Sequence, residues 1–334
     1  VRQVSHDAPT TVLPAEKWAC PFEGSVLGGN DSITEIPAAR WDIEAYYDPD
    51  PMNVDDFKMY TRHMGYVERG NQPTSAFDLK RFGIPEDEAS SVDRRVLLLG
   101  ESATTCFTQA GLMTKGKRSI GKQVGIFCGL SGNEMYYQFI TREAKFGKFT
   151  CLSMSNAANV NRLSFLFDTD GPSMAVDTED SSGCGAVDTA VTYLREERCV
   201  IGLAGGVSLI QHPFSLVTYC ASGSISRTGR SRVFDETSDG VIRSEGVVTL
   251  LLEAHGSKRM QEEGGEEGAT DDLGGGDIRV LINGSAINSN GASSSLGAPK
   301  ATAMLDVFMR ALKDAQCPVS IIQGLDMNAT GNEL

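Results

Sequence analysis

Thiols, imidazoles and carboxylates are the side chains here with types that could do covalent or acid–base chemistry. Eight cysteines are present: Cys20, Cys106, Cys128, Cys151, Cys184, Cys199, Cys220 and Cys317. No two of them form a CxxC pair and no histidine cluster stands beside them, so neither a zinc site nor a disulfide scaffold is expected. They read instead as small buried hydrophobes in a reducing compartment. The four histidines are equally scattered. His6 lies in an irregular N-terminal stretch, His63 in a loop, His212 just after an apolar strand and His255 at the border of an acidic segment; each reads as a surface or turn residue.

The run Glu179-Asp180-Ser181-Ser182 stands at the start of a helical pattern. Asp before two serines is a strong N-cap, contributing roughly 1 kcal/mol, and its charge suits the helix dipole. Cys184 follows four residues later, about 5.4 Å along a helix. It is therefore expected deeper in the core on the same face, where a thiol without a basic neighbour is inert.

The elements that must position these groups alternate. Val92 to Gly111 predicts a mostly buried helix, Gln123 to Leu130 a buried strand, Ala157 to Phe167 a helix and Pro172 to Asp177 a short strand. Ser181 to Glu197 predicts a helix with Ala186, Ala190, Val191 and Leu194 on one face. Cys199 to Val207 and Val247 to Glu253 read as further buried strands. Ile278 restarts strand character, Ala301 to Ala315 reads as an amphipathic helix, and Ile321 to Met327 is a last strand candidate. This is an α/β pattern whose sheet is covered on both faces. Gln261 to Asp277 carries seven acidic residues, six glycines and no base, the composition of a solvated loop. The reading divides the chain into an irregular segment 1–35, a half 36–260, the acidic glycine-rich loop 261–277 and a partial half 278–334.

With 334 residues, 40% hydrophobic and 22% charged, a large core is affordable. The net charge of −14 opposes binding to nucleic acid or anionic lipid. No apolar run approaches the ~18 residues of a membrane span. The chain opens at Val1, as a mature form after presequence removal or a fragment would. The expected location is the cytoplasm or, after such removal, a plastid or mitochondrion.

Six stretches, in order, carry a resemblance: RWDIEAYYDPDP (Arg40 to Pro51), SAFDLKRFGI (Ser75 to Ile84), NAANVNRLSFLFDTDGPSMAVDT (Asn156 to Thr178), LAGGV (Leu203 to Val207), SRVFDETSDGVIRSEG (Ser231 to Gly246) and GSAINSNGASSSLGAPK (Gly284 to Lys300). Together they resemble the ketosynthases, the condensing enzymes of fatty-acid and polyketide synthesis. The resemblance implies a thiolase-like αβαβα sandwich, near complete in its N-terminal half and truncated in its C-terminal half. It also implies a dimer formed through the strand Pro172 to Asp177. If Leu334 is the terminus, sheet edges and apolar surface are left to be covered by a partner.

Where the family reads DTACSS, with the acyl-accepting cysteine, this chain reads DTEDSS, and Asp180 occupies the nucleophile position. The exchange is expected to replace a strained, reactive turn by a stabilising one. The family's HGTGT corresponds to Asn328 to Asn332, so Asn328 replaces a histidine, while Thr330 matches a pantetheine-contacting threonine. Cys184 is the one rescue candidate for the nucleophile. The resemblance therefore implies a catalytically inactive ketosynthase-like protein acting as a structural or assembly subunit. It would pair with itself, with an active homologue or with a larger assembly, and acyl carrier protein is a further candidate partner. The alternatives are a residual acyl-thioester enzyme (decarboxylase, acyltransferase or condensing) and an acyl or pantetheine-binding module. No cofactor or metal is expected.

Overall fold

The computed structural model describes residues 4–6, 31–67, 77–80, 82–89, 91–113, 120, 123–141, 146–254, 280–295, 297–328 and 330. The strands are β1 (Val4–His6), β2 (Ile33–Glu35), β3 (His63–Gly65), β4 (Val124–Gly129), β5 (Ser173–Val176), β6 (Ile201–Ser208), β7 (Gly246–Ala254) and β8 (Val280–Ile282). The helices are α1 (Glu86–Ala89), α2 (Arg94–Gln109), α3 (Glu134–Ile140), α4 (Thr150–Ser153), α5 (Asn156–Phe167), α6 (Ser182–Arg195), α7 (Pro213–Ala221) and α8 (Ala301–Asp314).

Every residue of β4 is buried, as a strand covered on both faces requires. Alternation along the strands sorts the core into two layers. Ile126, Cys128, Leu203 and Leu251 face α2 and α5 through Val96, Leu97, Val160 and Leu163. Phe127, Ala204 and Leu252 face α6 through Ala186, Ala190, Val191 and Leu194. Asp93 starts α2 by accepting from the Arg95 amide at 2.8 Å, and Gly111, at φ 70°, follows its end. Ser155 caps α5 through the Ala158 amide.

The main sheet has the order β5-β4-β6-β7-β1-β8. β5, β4 and β6 run parallel, joined through α5 and α6, whereas β6–β7, β7–β1 and β1–β8 are antiparallel. β2 and β3 form a separate antiparallel pair. A third apolar cluster fastens it to α7: Ile36, Trp41, Met59 and Met64 pack with Ile210, Leu216 and Val217. α8 lies outside the sheet. Arg195 at the end of α6 reaches Asp314 at 2.6 Å, and Met304, Leu305 and Met309 face solvent.

Three expectations change here. The segment 1–35 is not wholly irregular, because β1 enters the sheet between β7 and β8, and β2 pairs with β3. His63 lies in β3, not a loop. Ile321 to Met327 forms no strand: a short 3-10 turn, Val319–Ile321, is followed by irregular backbone that pairs with no strand among the described residues. The acidic segment 261–277, His255 and Cys20 lie outside the described residues. Among the described residues no helix is long and apolar enough to cross a membrane.

Gly129 ends β4 directly beneath the start of α6. A Cβ there would meet the Ser182 carbonyl carbon at 2.5 Å and the Gly183 nitrogen at 2.6 Å. Both are backbone atoms, so nothing flexible can yield. Gly129→Ala is expected to cost about 1–3 kcal/mol by lifting the helix head off the strand. Urea unfolding measures it, and a loss indistinguishable from zero would contradict the contact.

Candidate functional site

The ends of β4 and β6, the turn into α6, the start of β7 and α7 enclose a cleft of about 1150 Å³. Its lining includes Ser131, Glu134, the run Thr178 to Cys184, Tyr219, Arg243, Asn328 and Thr330. The structure thus brings Asp180, Cys184, Asn328 and Thr330 to one place, and adds Glu179, Tyr219, Arg243 and Ser131, which spacing alone could not connect.

The turn into α6 is tightly knitted. The Thr178 amide donates to Ser182 Oγ at 2.9 Å, and that hydroxyl donates to the Glu179 carbonyl at 2.5 Å. The amides of Ser181 and Ser182 donate to the carbonyls of Thr178 and Glu179. Glu179 sits at φ 55°, a left-handed conformation that costs a non-glycine residue about 1–3 kcal/mol. The expected replacement of a strained turn by a relaxed one is therefore not what the structure shows.

Nor does Asp180 cap the helix. Ser181 occupies the N-cap position without a side-chain cap bond. The turn's amides are served by other groups, those of Thr178 and Glu179 by the Ser182 hydroxyl and Asp177 Oδ1 and those of Ser181 and Ser182 by backbone carbonyls, while Asp180 accepts from Arg243 Nη1 at 2.7 Å. Arg243 lies 4.2 Å over the ring of Tyr219, a cation–π distance. Tyr219 in turn donates to Glu179 Oε1 at 2.5 Å, and Ser131 donates to the other oxygen. Asp180, Arg243, Tyr219, Glu179 and Ser131 form one continuous polar clamp across the head of α6.

The clamp sets its own electrostatics. The Ser131 and Tyr219 hydroxyls hold the Glu179 carboxyl below its ordinary range. Burial, together with the bond to Glu179, pushes Tyr219 up to about 12. Both shifts keep the bond formed through the neutral range. Because the folded phenol titrates above its ordinary value of about 10, its contribution is complete below pH 10 and is lost as pH rises towards 12. An ultraviolet titration is expected to show one tyrosine ionising last, and Tyr219→Phe is expected to remove that step. Survival of the late step in the variant would reassign it.

Two carboxylates fix the loop leaving β6: Glu134, half-buried in the cleft wall, and Glu245, whose side chain is fully buried. Glu134 accepts from the amides of Gln211 and His212 at 3.2 and 3.1 Å and from the Ser215 hydroxyl. Glu245 accepts from the Ile210 amide at 2.7 Å, the Val67 amide at 2.9 Å and Arg40 at 2.5 Å. Burial pushes both carboxyls up, against the pull of these donors.

Two further expectations are corrected. Cys184 is exposed on the cleft, not buried, because the inward stripe of α6 runs through Ser182, Gly185, Ala186 and Ala190 and leaves Cys184 to one side. Cys151 is also exposed and Cys317 half-buried, whereas Cys106, Cys128, Cys199 and Cys220 are core residues. His212 is buried rather than superficial: it caps α7, its Nδ1 accepting from the Phe214 amide at 3.1 Å. Among the described residues no histidine lines the cleft, and no group of three metal-ligating side chains occurs.

A mixed sheet between helical layers, with its cleft where a helix starts beyond an edge strand, is the thiolase-like ketosynthase fold. Residues 11–257 match the family of beta-ketoacyl synthase N-terminal domains, and the chain belongs to that family. It is 33% identical over 324 residues to polyketide synthase GfsB of Streptomyces halstedii, a match covering 96% of this chain and 5% of that one. It is likewise 33% identical over 314 residues to the pikromycin polyketide synthase component PikAII of Streptomyces venezuelae, covering 92% and 8%. The oxazolomycin ketosynthase domain OzmH KS7 of Streptomyces albus JA3453 superposes with a TM-score of 0.80 at 26% identity, over 99% of this chain and 55% of that one. The ketosynthase from module 6 of the Bacillus subtilis 168 bacillaene synthase gives 0.76 at 23% identity, a likeness of fold, over 99% and 50%. The chain thus spans about half of the solved ketosynthases and a small part of the curated synthases.

Proposed function

We propose that this chain is a ketosynthase-family domain that does not condense acyl groups and serves as a structural or assembly subunit. The carrying observation is the clamp: where the family places an acyl-accepting cysteine, the head of α6 presents Asp180 paired with Arg243, beside Glu179. A carboxylate could hold an acyl group only as a mixed anhydride, which water cleaves, so it cannot store a thioester's acyl chain. Asn328, in place of a histidine, offers no imidazole for proton transfer. GfsB and PikAII are polyketide synthases of which this length is a small fraction, which favours a large assembly as the setting. β5, at the edge of the sheet with β4 as its one neighbour among the described residues, supports pairing through the Pro172 to Asp177 segment with a second copy or an active homologue.

The test is the intact mass of the protein before and after incubation with an acyl thioester, with light scattering on the same sample. An unchanged mass from an oligomer fits the proposal. A stable acyl adduct, or a monomer with no affinity for an active ketosynthase, would overturn it.

One observation favours a second reading, a residual acyl-thioester enzyme: Cys184 is exposed on the cleft one turn from Asp180. An adduct mapped to Cys184 and abolished in Cys184→Ala would establish it. The absence of that adduct would leave the assembly role as the better account.

A further inference from the structure

Arg243 is fixed from three sides. Its carbonyl accepts from the Gly65 amide at 3.1 Å, and the amide of Glu245, two residues on, returns to the Gly65 carbonyl at 2.9 Å, so its backbone is pinned to β3. Its guanidinium rests on the Tyr219 ring at 4.2 Å. Tyr219 is itself tied to Glu179. Among the described residues the side chain makes one hydrogen bond, to Asp180, although a guanidinium carries five N–H donors in a planar fork. A fork held in place before any ligand arrives is what grips a carboxylate through two parallel bonds.

The other charges lining the cleft are already served. Glu179 accepts from Ser131 and Tyr219, and Glu134 from Gln211, His212 and Ser215. Arg243 is the one cationic side chain in the described lining, and its side chain is 22% exposed, against 62% for Asp180. The anchored partner is therefore the cation, and the replaceable partner is the carboxylate at the tip of the strained turn.

We propose that Arg243 is a preorganised receptor for a small carboxylate anion, and that Asp180 fills it as a built-in stand-in, leaving the native cleft self-occupied. A tethered carboxylate competes at an effective concentration in the millimolar range or above, so a free anion at lower concentration finds the fork taken. An ion pair this exposed adds little to stability, so breaking it is not expected to unfold the protein. The inference rests on the cleft's geometry and holds whether or not the chain transfers acyl groups.

Calorimetric titration of the whole chain with malonate tests it, with melting temperatures recorded for every variant. The native chain is expected to show no saturable binding at millimolar malonate. Asp180→Ser is expected to bind at least tenfold more tightly, to weaken as salt is raised, and to lose the gain in Asp180→Ser/Arg243→Met. Should Asp180→Ser fail to fold, Asp180→Asn, which keeps the size and removes the charge, carries the same expectation. Equal affinity in the native chain and the single variant would overturn the proposal. So would no gain in a folded Asp180 variant, or a gain that survives loss of Arg243. The acyl-adduct measurement is independent of all three outcomes, so failure of one proposal does not disguise failure of the other.

Discussion

Glu245→Ala is expected to remove about 3–5 kcal/mol of stability, the cost of leaving a buried charge without its partner. The side chains of Arg40 and Glu245 are 2% and 0% exposed and lie 2.5 Å apart. Truncation strands the guanidinium and orphans the Ile210 and Val67 amides, each a further desolvation penalty. The damage extends beyond one ion pair. Glu245 joins the early loop at Arg40, the end of the β2–β3 pair at Val67 and the cleft wall at Ile210. Urea unfolding supplies the measurement, and a loss below about 1 kcal/mol would contradict the burial. The double variant Arg40→Met/Glu245→Leu is expected to recover much of the loss, because a buried pair replaced by apolar residues of similar size is often close to neutral.

Arg95→Met is expected to cost a similar ~3–5 kcal/mol and to loosen the clamp as well. Arg95 is 1% exposed. It donates to Asp93 through Nε at 2.9 Å, and its Nη1 donates to the carbonyls of Ser131 and Gly132 at 3.1 and 3.2 Å. A fourth contact, from Nη2 to Asn156 at 3.2 Å, reaches the first turn of α5. One planar group therefore orients the start of α2, the start of α5 and the loop that presents Ser131 to Glu179. Arg95→Lys is expected to fail as well, since a single ammonium cannot cover these divergent acceptors. The coupled readout is the late phenol titration of Tyr219, which is expected to move towards its ordinary range in Arg95→Met. A destabilised variant with an unmoved phenol would show that Ser131 holds its place without Arg95.

Which parts of this were legible in the sequence follows from where the determining partners lie. α6 was readable because Ala186, Ala190, Val191 and Leu194 repeat at helical spacing within fourteen residues. β4 and β7 were readable as short apolar runs that end at turn signals. β1 was not, since three residues among prolines carry no period and Val4 pairs with Ala254. Ile321 to Met327 had the composition of a strand but gains no ladder partner, and its Ile321, Ile322 and Leu325 remain exposed. At the site, a cap preference is a local rule. It could not anticipate that Arg243, sixty-three positions downstream, would draw Asp180 away. Tyr219 offered no sequence signal at all, because its role comes from the packing of α7 against the turn.

The placement of β1 also sets an order of events as the chain emerges during synthesis. β4, α5, β5, α6 and β6 follow in chain order with only the short helices α3 and α4 between β4 and α5, so the parallel core can assemble from contacts made within roughly eighty residues. β1 must wait, because both of its neighbours, β7 and β8, follow it far along the chain: Val4 pairs with Ala254 and with Ile282. Closing so long a loop is slow relative to local pairing. Until then the outer side of β7 is an unpaired edge on a nascent chain, and a strand made before the parallel core docks after it. Deleting residues 1–10 is therefore expected to spare the early, local phase of refolding and to remove or slow the final one, which stopped-flow fluorescence would resolve.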